Sequence, residues 1–402
     1  MQLTICELNN HACTGCEVCR TIATCPSPTQ CIGCGICALA CPYDARRLVT
    51  VDERQQLIRI TVNGNKFKVP ERITILKALE LCGINIGERH NEGEIFAPCR
   101  TGGCFNCLVN ANGKLVRACA TSVHDGKDIR TSIGTITPMR IIHGPQPHTV
   151  GGKATPWWLK GNSYIEVAIW VAGCNLRCPQ CQNYATTYDG RTKPVTPNHA
   201  AEVITKARRL YRVNRMAISG GEPTLNRRWL VQFFVHLKRL NTDEDARLHL
   251  DSNGTLLTPD YIDELVIEAG VTDIGVEPKG ITVETFMRIS GITDKTLSAR
   301  YLETSWRAIE YICERHSDRV FLGVGLPYNS AFISLDEVHE FGKRLAAIKN
   351  DVQLCVLDYF PTFKRRNIKR PSVHEMLQVK RTLENAGLKT VIIQTQIGHI
   401  GP

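Results

Sequence analysis

Residues 166–182 read EVAIWVAGCNLRCPQCQ, an apolar run that ends in three cysteines spaced Cys174-x3-Cys178-x2-Cys181. The run has the length of a buried strand, and the glycine and polar residues after it mark the strand's exit. Downstream the same alternation recurs. ITKARRLY (204–211) has helical spacing, and RMAIS (215–219) is a strand ending in Gly220-Gly221-Glu222-Pro223. WLVQFFVHLKRL (229–240) is helical before the strand and exit RLHLDSNG (247–254), YIDELVIEAG (261–270) before DIGVEPKG (273–280), and WRAIEYICER (306–315) before VFLGVGLP (320–327). DEVHEFGKRLAAI (336–348) precedes QLCVLDYFP (353–361), and VHEMLQVKRTLENAG (373–387) precedes KTVIIQT (389–395). Repeated strand–helix units predict an α/β fold with a parallel sheet. Without a dinucleotide fingerprint, the pattern favours a partial (β/α)6 TIM-like barrel over an open sheet. Its glycine and polar motifs fall at strand ends, where such folds place chemistry.

Three thiolates in one loop can hold three irons of a cubane cluster and leave the fourth iron open to a ligand. The competing reading is a zinc site completed by a distant residue. The loop resembles the radical SAM superfamily, and within it most resembles the glycyl-radical-enzyme activases and their pyruvate formate-lyase activase-like relatives. The resemblance implies that Cys174, Cys178 and Cys181 ligate a catalytic 4Fe–4S cluster whose open iron takes S-adenosylmethionine. It also implies that Gly220, Gly221, Glu222 and Pro223 meet the methionine end of that cofactor, with Glu222 placed to receive an ammonium. Glycines let backbone approach a ligand closely. Asp251-Ser252-Asn253-Gly254 resembles the activases' Asp-Thr-Asn-Gly, which puts Ser252 or Asn253 near the cofactor. Glu277 and Lys279, in VEPKG, stand where the activases often have Asp-Leu-Lys.

Two further groups of cysteines lie upstream. Cys31-x2-Cys34-x2-Cys37-x3-Cys41-Pro42 matches the bacterial-type ferredoxin run, and Cys13, Cys16, Cys19 and Cys25 precede it. In two-cluster ferredoxins the fourth cysteine of each run serves the other cluster. That rule assigns Cys13, Cys16, Cys19 and Cys41 to one 4Fe–4S cluster and Cys31, Cys34, Cys37 and Cys25 to another. Cys6 is a spare that could replace one of these ligands. Cys99-x4-Cys104-x2-Cys107-x11-Cys119 resembles the loop of 2Fe–2S ferredoxins. The sequence before it fits their β-grasp fold: LIRITV (57–62), an Asn63-Gly64 turn, KFKV (66–69) and a helix over 73–82. Cys82, Cys313 and Cys355 sit in apolar patterns and read as packing residues. The expected cofactors are S-adenosylmethionine, three 4Fe–4S clusters (one in the barrel, two N-terminal) and one 2Fe–2S cluster.

A stretch rich in glycine, proline and histidine, from about Ile141 to Pro156, reads as a linker. The expected organisation is a dicluster ferredoxin-like segment over 1–50, a 2Fe–2S β-grasp domain over 51–143, and a radical SAM partial barrel over 144–402. The chain has 402 residues and 19 cysteines, enough for a large core without disulfide staples, so the thiols want another use. No signal peptide is evident and no run of about eighteen apolar residues occurs, so the expectation is a cytoplasmic protein without a membrane span. Cluster charge offsets part of the formal net charge of +10, which is therefore weak evidence for nucleic acid. The basic stretch YFPTFKRRNIKR (359–370) reads either as a solvated face or as a grip for an anionic substrate or peptide terminus.

Together these features predict an oxygen-sensitive radical SAM oxidoreductase. It would cleave S-adenosylmethionine reductively, abstract hydrogen from a small molecule, peptide or partner protein, and draw electrons from an external low-potential donor through its accessory clusters. The alternatives are a glycyl-radical-enzyme activase acting on a partner protein, and an electron-transfer iron–sulfur subunit with an inactive barrel.

Overall fold

The computed structural model describes residues 2–159 and 163–402. Its contacts divide the chain into two compact units. The first is Met1–Ile142 with Val171–Asn175 and Asn183–Thr196; the second is His143–Trp170 with Leu176–Gln182 and Pro197–Pro402. Among the described residues no helix is long and apolar enough to cross a membrane.

In the first unit β1 (Gln2–Leu8) is followed by two short helices, α1 (Val18–Thr21) and α2 (Ile36–Ala40), and then by β2 (Arg46–Arg54). β2 pairs antiparallel with β1, from Leu3 opposite Val51 to Leu8 opposite Arg46. The cysteine loops are thus bracketed by a hairpin, and β2 runs through residue 50. Next come β3 (Leu57–Val62), β4 (Asn65–Pro70), α3 (Ile75–Leu81), the short pair β5 (Ile86–Gly87) and β6 (Ile95–Phe96), β7 (Leu108–Ala111), β8 (Lys114–Arg117) and β9 (Lys127–Arg130). Their five-stranded sheet has the order β4-β3-β9-β7-β8, with β3 parallel to β9. Asn63 and Gly64 both take the left-handed conformation that a two-residue hairpin turn requires. The Thr74 side chain caps α3 by accepting from the Lys77 amide at 3.0 Å, and the helix buries Ile75, Leu76, Ala78 and Leu79.

The first part of the expected linker is a strand, β10 (Met139–His148), and the division between the two units falls within it, after Ile142. Its first residues pair antiparallel, in the first unit, with a two-residue strand at Pro194–Val195; its later residues belong to the second unit. Composition misleads here because Gly144 serves a close approach. Its φ is +91°, and a methyl group on it would stand 2.2 Å from the Ala168 carbonyl oxygen. After β11 (Glu166–Val171) come α4 (Tyr184–Thr187), the Pro194–Val195 strand as β12, and α5 (Pro197–Tyr211).

The rest of the second unit repeats strand and helix: β13 (Arg215–Gly220), α6 (Arg227–Leu240), β14 (Arg247–Ser252), α7 (Pro259–Asp263) continued by a π-helical turn at Glu264–Glu268, and β15 (Asp273–Val276). α8 (Val283–Ser290) and α9 (Lys295–Arg315) lead to β16 (Phe321–Tyr328), α10 (Leu335–Ile348), β17 (Gln353–Asp358), α11 (Val373–Asn385), β18 (Thr390–Thr395) and β19 (Gly398–Ile400). β13 to β18 are parallel neighbours in chain order, with Leu250 opposite Ile218 and Ile274, and Leu354 opposite Val324 and Val391. β19 turns back antiparallel on β18. This is a predominantly parallel α/β sheet, its helices amphipathic returns that bury Trp229, Phe233, Trp306 and Phe341. Gly151–Thr155, also expected as linker, packs on strand residues of this sheet. The Gln353 side-chain amide donates to the carbonyls of Lys153 and Thr155 at 2.8 and 2.9 Å, and Arg215 donates to that of Ala154 at 3.0 Å. A methyl group on Gly323 of β16 would stand 2.0 Å from the Lys153 carbonyl oxygen, so glycine there makes room for the segment.

Candidate active site

The ends of adjacent strands in the second unit are tied together through one carboxylate. Glu222, just past β13, is 1% exposed. Its Oε1 accepts from the Thr224 amide (3.0 Å), the Thr224 hydroxyl (2.7 Å) and the Ser252 hydroxyl (2.9 Å), and its Oε2 accepts from the Asn253 amide (2.7 Å). A carboxylate has about four acceptor positions, so Glu222 spends them inside the protein. The geometry makes it a brace between the loops after β13 and β14 rather than an open receptor for an ammonium. Burial raises its pKa, and the four donors oppose that. Ser252 and Asn253 are both buried; the Asn253 side-chain oxygen accepts from the Thr255 amide and hydroxyl at 3.0 and 2.6 Å. Pro223 opens the short turn that follows.

A second group of side chains forms a buried chain of alternating charge. Glu166 Oε2 stands 3.2 Å from His249 Nδ1, and His249 Nε2 stands 3.5 Å from Asp251 Oδ1. Lys153 Nζ lies 3.2 Å from Asp251 Oδ1 and 3.9 Å from Glu277 Oε2. Glu277 in turn pairs with Lys279, whose ammonium donates to the Tyr359 hydroxyl at 3.3 Å. Burial works against every one of these charges, but each neighbour outweighs it. Asp251 and Glu277 are held below the ordinary carboxylate range, Lys153 and Lys279 are held protonated, and His249 is raised to about 9. Beside them is a cavity of about 580 Å³ lined in part by Gly151, Gly152, Lys153, Asp251, Cys355 and Gln394.

Cys174, Cys178 and Cys181 are half-buried on the loop that leaves β11. Cys174 counts with the first unit; Cys178 and Cys181 share a turn in the second, the Cys181 amide donating to the Cys178 carbonyl at 3.1 Å. Burial raises the Cys178 thiol, while Lys279 and Arg365 are near enough to draw it down. Arg365 comes from the basic stretch, in which Arg366 and Lys369 are exposed while Lys364, Arg365 and Arg370 are half-buried. The Lys364 and Arg365 amides donate to the Pro179 carbonyl at 3.1 and 3.2 Å, Gln180 donates to the Phe360 carbonyl, and Phe363 is fully buried.

The first unit gathers thiols that apolar packing does not explain. Cys99, Cys104, Cys107 and Cys119 are all buried. Cys107 and Cys119 sulfurs are 3.3 Å apart, and Cys99 hydrogen-bonds with both Cys104 and Cys119. Backbone amides turn toward these sulfurs, Thr101 toward Cys99 at 3.4 Å among them. Four connected thiols with amide donors suit a 2Fe–2S cluster. In the N-terminal loops Arg46 donates to the Cys19 sulfur at 3.2 Å, Cys34 is half-buried, and the sulfurs of Cys37 and Cys6 are 3.1 Å apart. Cys13 and Cys16 are exposed, Cys25 and Cys31 half-buried, and Cys41 is buried at the end of α2. Among the described residues no three such side chains converge on a single-ion site.

Residues 169–332 match the radical SAM superfamily. This region is a radical SAM domain. Residues 55–134 match the 2Fe-2S iron-sulfur cluster binding domain and residues 25–47 the 4Fe-4S binding domain, so ferredoxin-like segments precede the radical SAM domain. The chain is 33% identical over 131 residues to an AdoMet-dependent heme synthase of Methanosarcina barkeri, covering 32% of this chain and 35% of that one. It is 44% identical over 102 residues to an uncharacterized iron-sulfur protein of Methanocaldococcus jannaschii, covering 23% and 20%. The chain thus spans only a minor part of the curated relatives it matches. Among solved structures it is similar to an FeFe-hydrogenase maturase, HydG, from Carboxydothermus hydrogenoformans, with 14% identity, 55% and 50% coverage and a TM-score of 0.40.

Sequence reasoning missed three residues beside the radical SAM motifs. Lys153 lies upstream of the matched region and inside a stretch read as linker. Asp251 stands out in the sequence only as the head of its motif. Tyr359 carries no signal in sequence, because its partner Lys279 is eighty positions away. Cys82, Cys313 and Cys355 are half-buried rather than core; Cys355 sits 3.7 Å from the Lys153 carbonyl.

Proposed function

We propose that this chain is a radical SAM oxidoreductase that cleaves S-adenosylmethionine reductively and uses its accessory clusters to deliver electrons. The observation that carries the reading is that Glu222 accepts hydrogen bonds from Ser252 and Asn253, which joins two strand-end motifs in the unit that also holds Cys178 and Cys181. When bound by Cys174, Cys178 and Cys181, a reduced 4Fe–4S cluster supplies the electron that splits S-adenosylmethionine into methionine and a 5′-deoxyadenosyl radical, which takes hydrogen from substrate.

The chain's own residues prepare that reaction. Gly220 and Gly221 leave backbone open to the methionine end of the cofactor. Glu222 fixes the spacing between the loops that carry Gly221 and Ser252–Asn253 before any ligand arrives. Lys279 and Tyr359 present polar groups next to the cysteine loop, and the charged chain from Glu166 to Glu277 supports them from within the sheet. The parallel sheet is read as a partial (β/α)6 barrel of the activase-like subgroup, within the expected divisions 1–50, 51–143 and 144–402. The Cys99–Cys119 set holds one 2Fe–2S cluster. The N-terminal thiols hold two 4Fe–4S clusters, one on Cys13, Cys16, Cys19 and Cys41 and one built on Cys31, Cys34 and Cys37. Electrons enter from an external low-potential donor in the cytoplasm, and the substrate is a small molecule, peptide or partner protein.

The test is to purify the protein without oxygen, reduce it, add S-adenosylmethionine and quantify 5′-deoxyadenosine, with Cys178→Ala as control. Nucleoside from the intact protein alone is the expected result. Cluster-loaded, reduced protein that neither forms it nor binds S-adenosylmethionine would leave an electron-transfer subunit as the better description.

A further inference from the structure

The fourth ligand of the cluster built on Cys31, Cys34 and Cys37 falls by spacing to Cys25, yet the structure brings a different thiol into hydrogen-bonding contact with that loop. Cys6 lies on β1, seven residues before the first cysteine of the N-terminal run. Its sulfur stands 3.1 Å from the Cys37 sulfur, and its backbone amide donates to the Cys31 sulfur at 3.2 Å. The loop is pressed onto the same strand farther along, since a methyl group on Gly33 would stand 2.8 Å from the Thr4 carbonyl oxygen. Arg46, opposite Leu8 in the hairpin, has the Cys19 sulfur on its guanidinium and lies near Cys6 and Cys37. Cys25 is close enough for its charge to act on Cys34, but among the described residues it has no hydrogen bond to Cys31, Cys34 or Cys37.

We propose that Cys6 is the fourth protein ligand of the 4Fe–4S cluster held by Cys31, Cys34 and Cys37, in place of Cys25. The inference rests on the reading that this loop holds a cluster. A cubane offers one corner per thiolate. A sulfur already in contact with one ligand, with its own amide on a second, needs little movement to take the remaining corner. β1 would then be part of the cluster's cage as well as its hairpin, and the site would close only when the strand at the start of the chain pairs with β2.

The full chain, reconstituted with iron and sulfide without oxygen, tests this through iron and sulfide content and low-temperature EPR after dithionite reduction, with no turnover needed. Cys31→Ala and Cys6→Ala are expected to lose the same one cluster's iron and the same 4Fe–4S signal, while Cys25→Ala keeps both. Cys6→Ser, which keeps the size and offers oxygen as ligand, is expected to fold as judged by far-UV circular dichroism and to shift the g-values of that signal. Iron and spectra in Cys6→Ala and Cys6→Ser matching the unaltered protein, or an equal loss in Cys25→Ala, overturn the assignment. Full iron in Cys31→Ala would instead show that the loop holds no cluster, which removes the underlying reading and this inference together.

Discussion

Gly103 and Gly173 lie backbone against backbone. A methyl group on Gly103 would stand 2.7 Å from the Gly173 nitrogen, and one on Gly173 would stand 2.8 Å from the Cys104 nitrogen. One glycine directly precedes a thiol of the four-cysteine set and the other directly precedes Cys174, so the contact brings those two loops together within one unit. Gly103→Ala is expected to destabilise the protein by about 1–3 kcal/mol through overpacking. Gly134 has open space around its Cβ position, so Gly134→Ala is the matched control and should change stability by no more than about 0.5 kcal/mol. Thermal unfolding of the two variants under the same conditions decides it; equal midpoints would mean the loops yield freely.

Removing either Cys107 or Cys119 leaves the other thiol of a 3.3 Å pair without its partner. Cys119→Ala should abolish the 2Fe–2S absorbance and EPR signal while the 4Fe–4S signals persist. Retention of the 2Fe–2S spectrum would show that the set is not the ligand set.

Lys153 stands between two buried carboxylates, Asp251 and Glu277. Lys153→Met strips both of a counter-charge, and breaking a buried pair of this kind costs about 3–5 kcal/mol. The double variant Lys153→Met with Asp251→Asn should recover part of the loss, because it removes the stranded charge as well. Denaturant midpoints of the single and double variants measure this. A single variant as stable as the unaltered chain would mean that water, not Lys153, neutralises the carboxylates.

His249 gives a pH dependence with a definite sign. Burial alone would lower its pKa, but Asp251 and Glu166 raise it from 6.5 to about 9 in the folded chain. The folded state therefore holds the proton more tightly than the unfolded state. The contribution is fully present below 6.5 and is lost as pH rises through 9. It amounts to about 3 kcal/mol. Stability measured across this window should fall less steeply in His249→Gln than in the unaltered protein; parallel profiles would refute the assignment.

The parallel strands were legible in the sequence because burial on both faces writes itself as short apolar runs, as in RMAIS and KTVIIQT. The cysteine loops were legible because their ligands are neighbours in the chain. What depends on contacts between distant residues was not. Gly144 and Pro145 read as linker residues, although β10 uses that glycine to let β11 approach. Lys153 reads as one lysine in a polar stretch, and only the strands carrying Asp251 and Glu277 give it a role. Arg365 reads as part of a basic patch until Pro179 is seen to accept its amide. Cys6 is isolated in the sequence, and only the hairpin of β1 with β2 carries it to Cys37. Two of the four hydrogen bonds that occupy Glu222 likewise come from the loop after the neighbouring strand β14, some thirty residues on, so its bracing geometry could not be read from Gly-Gly-Glu-Pro alone.

The short segment from Gly151 to Thr155 bears on how portable the radical SAM domain is. Gln353 and Arg215 each donate side-chain hydrogen bonds to carbonyls of that segment, and Lys153 supplies the cation between two of the sheet's acids. All of it lies upstream of residue 169, where the resemblance to the superfamily begins. A module excised at that border and grafted onto another carrier would keep every signature cysteine and glycine yet arrive with its interior unfinished.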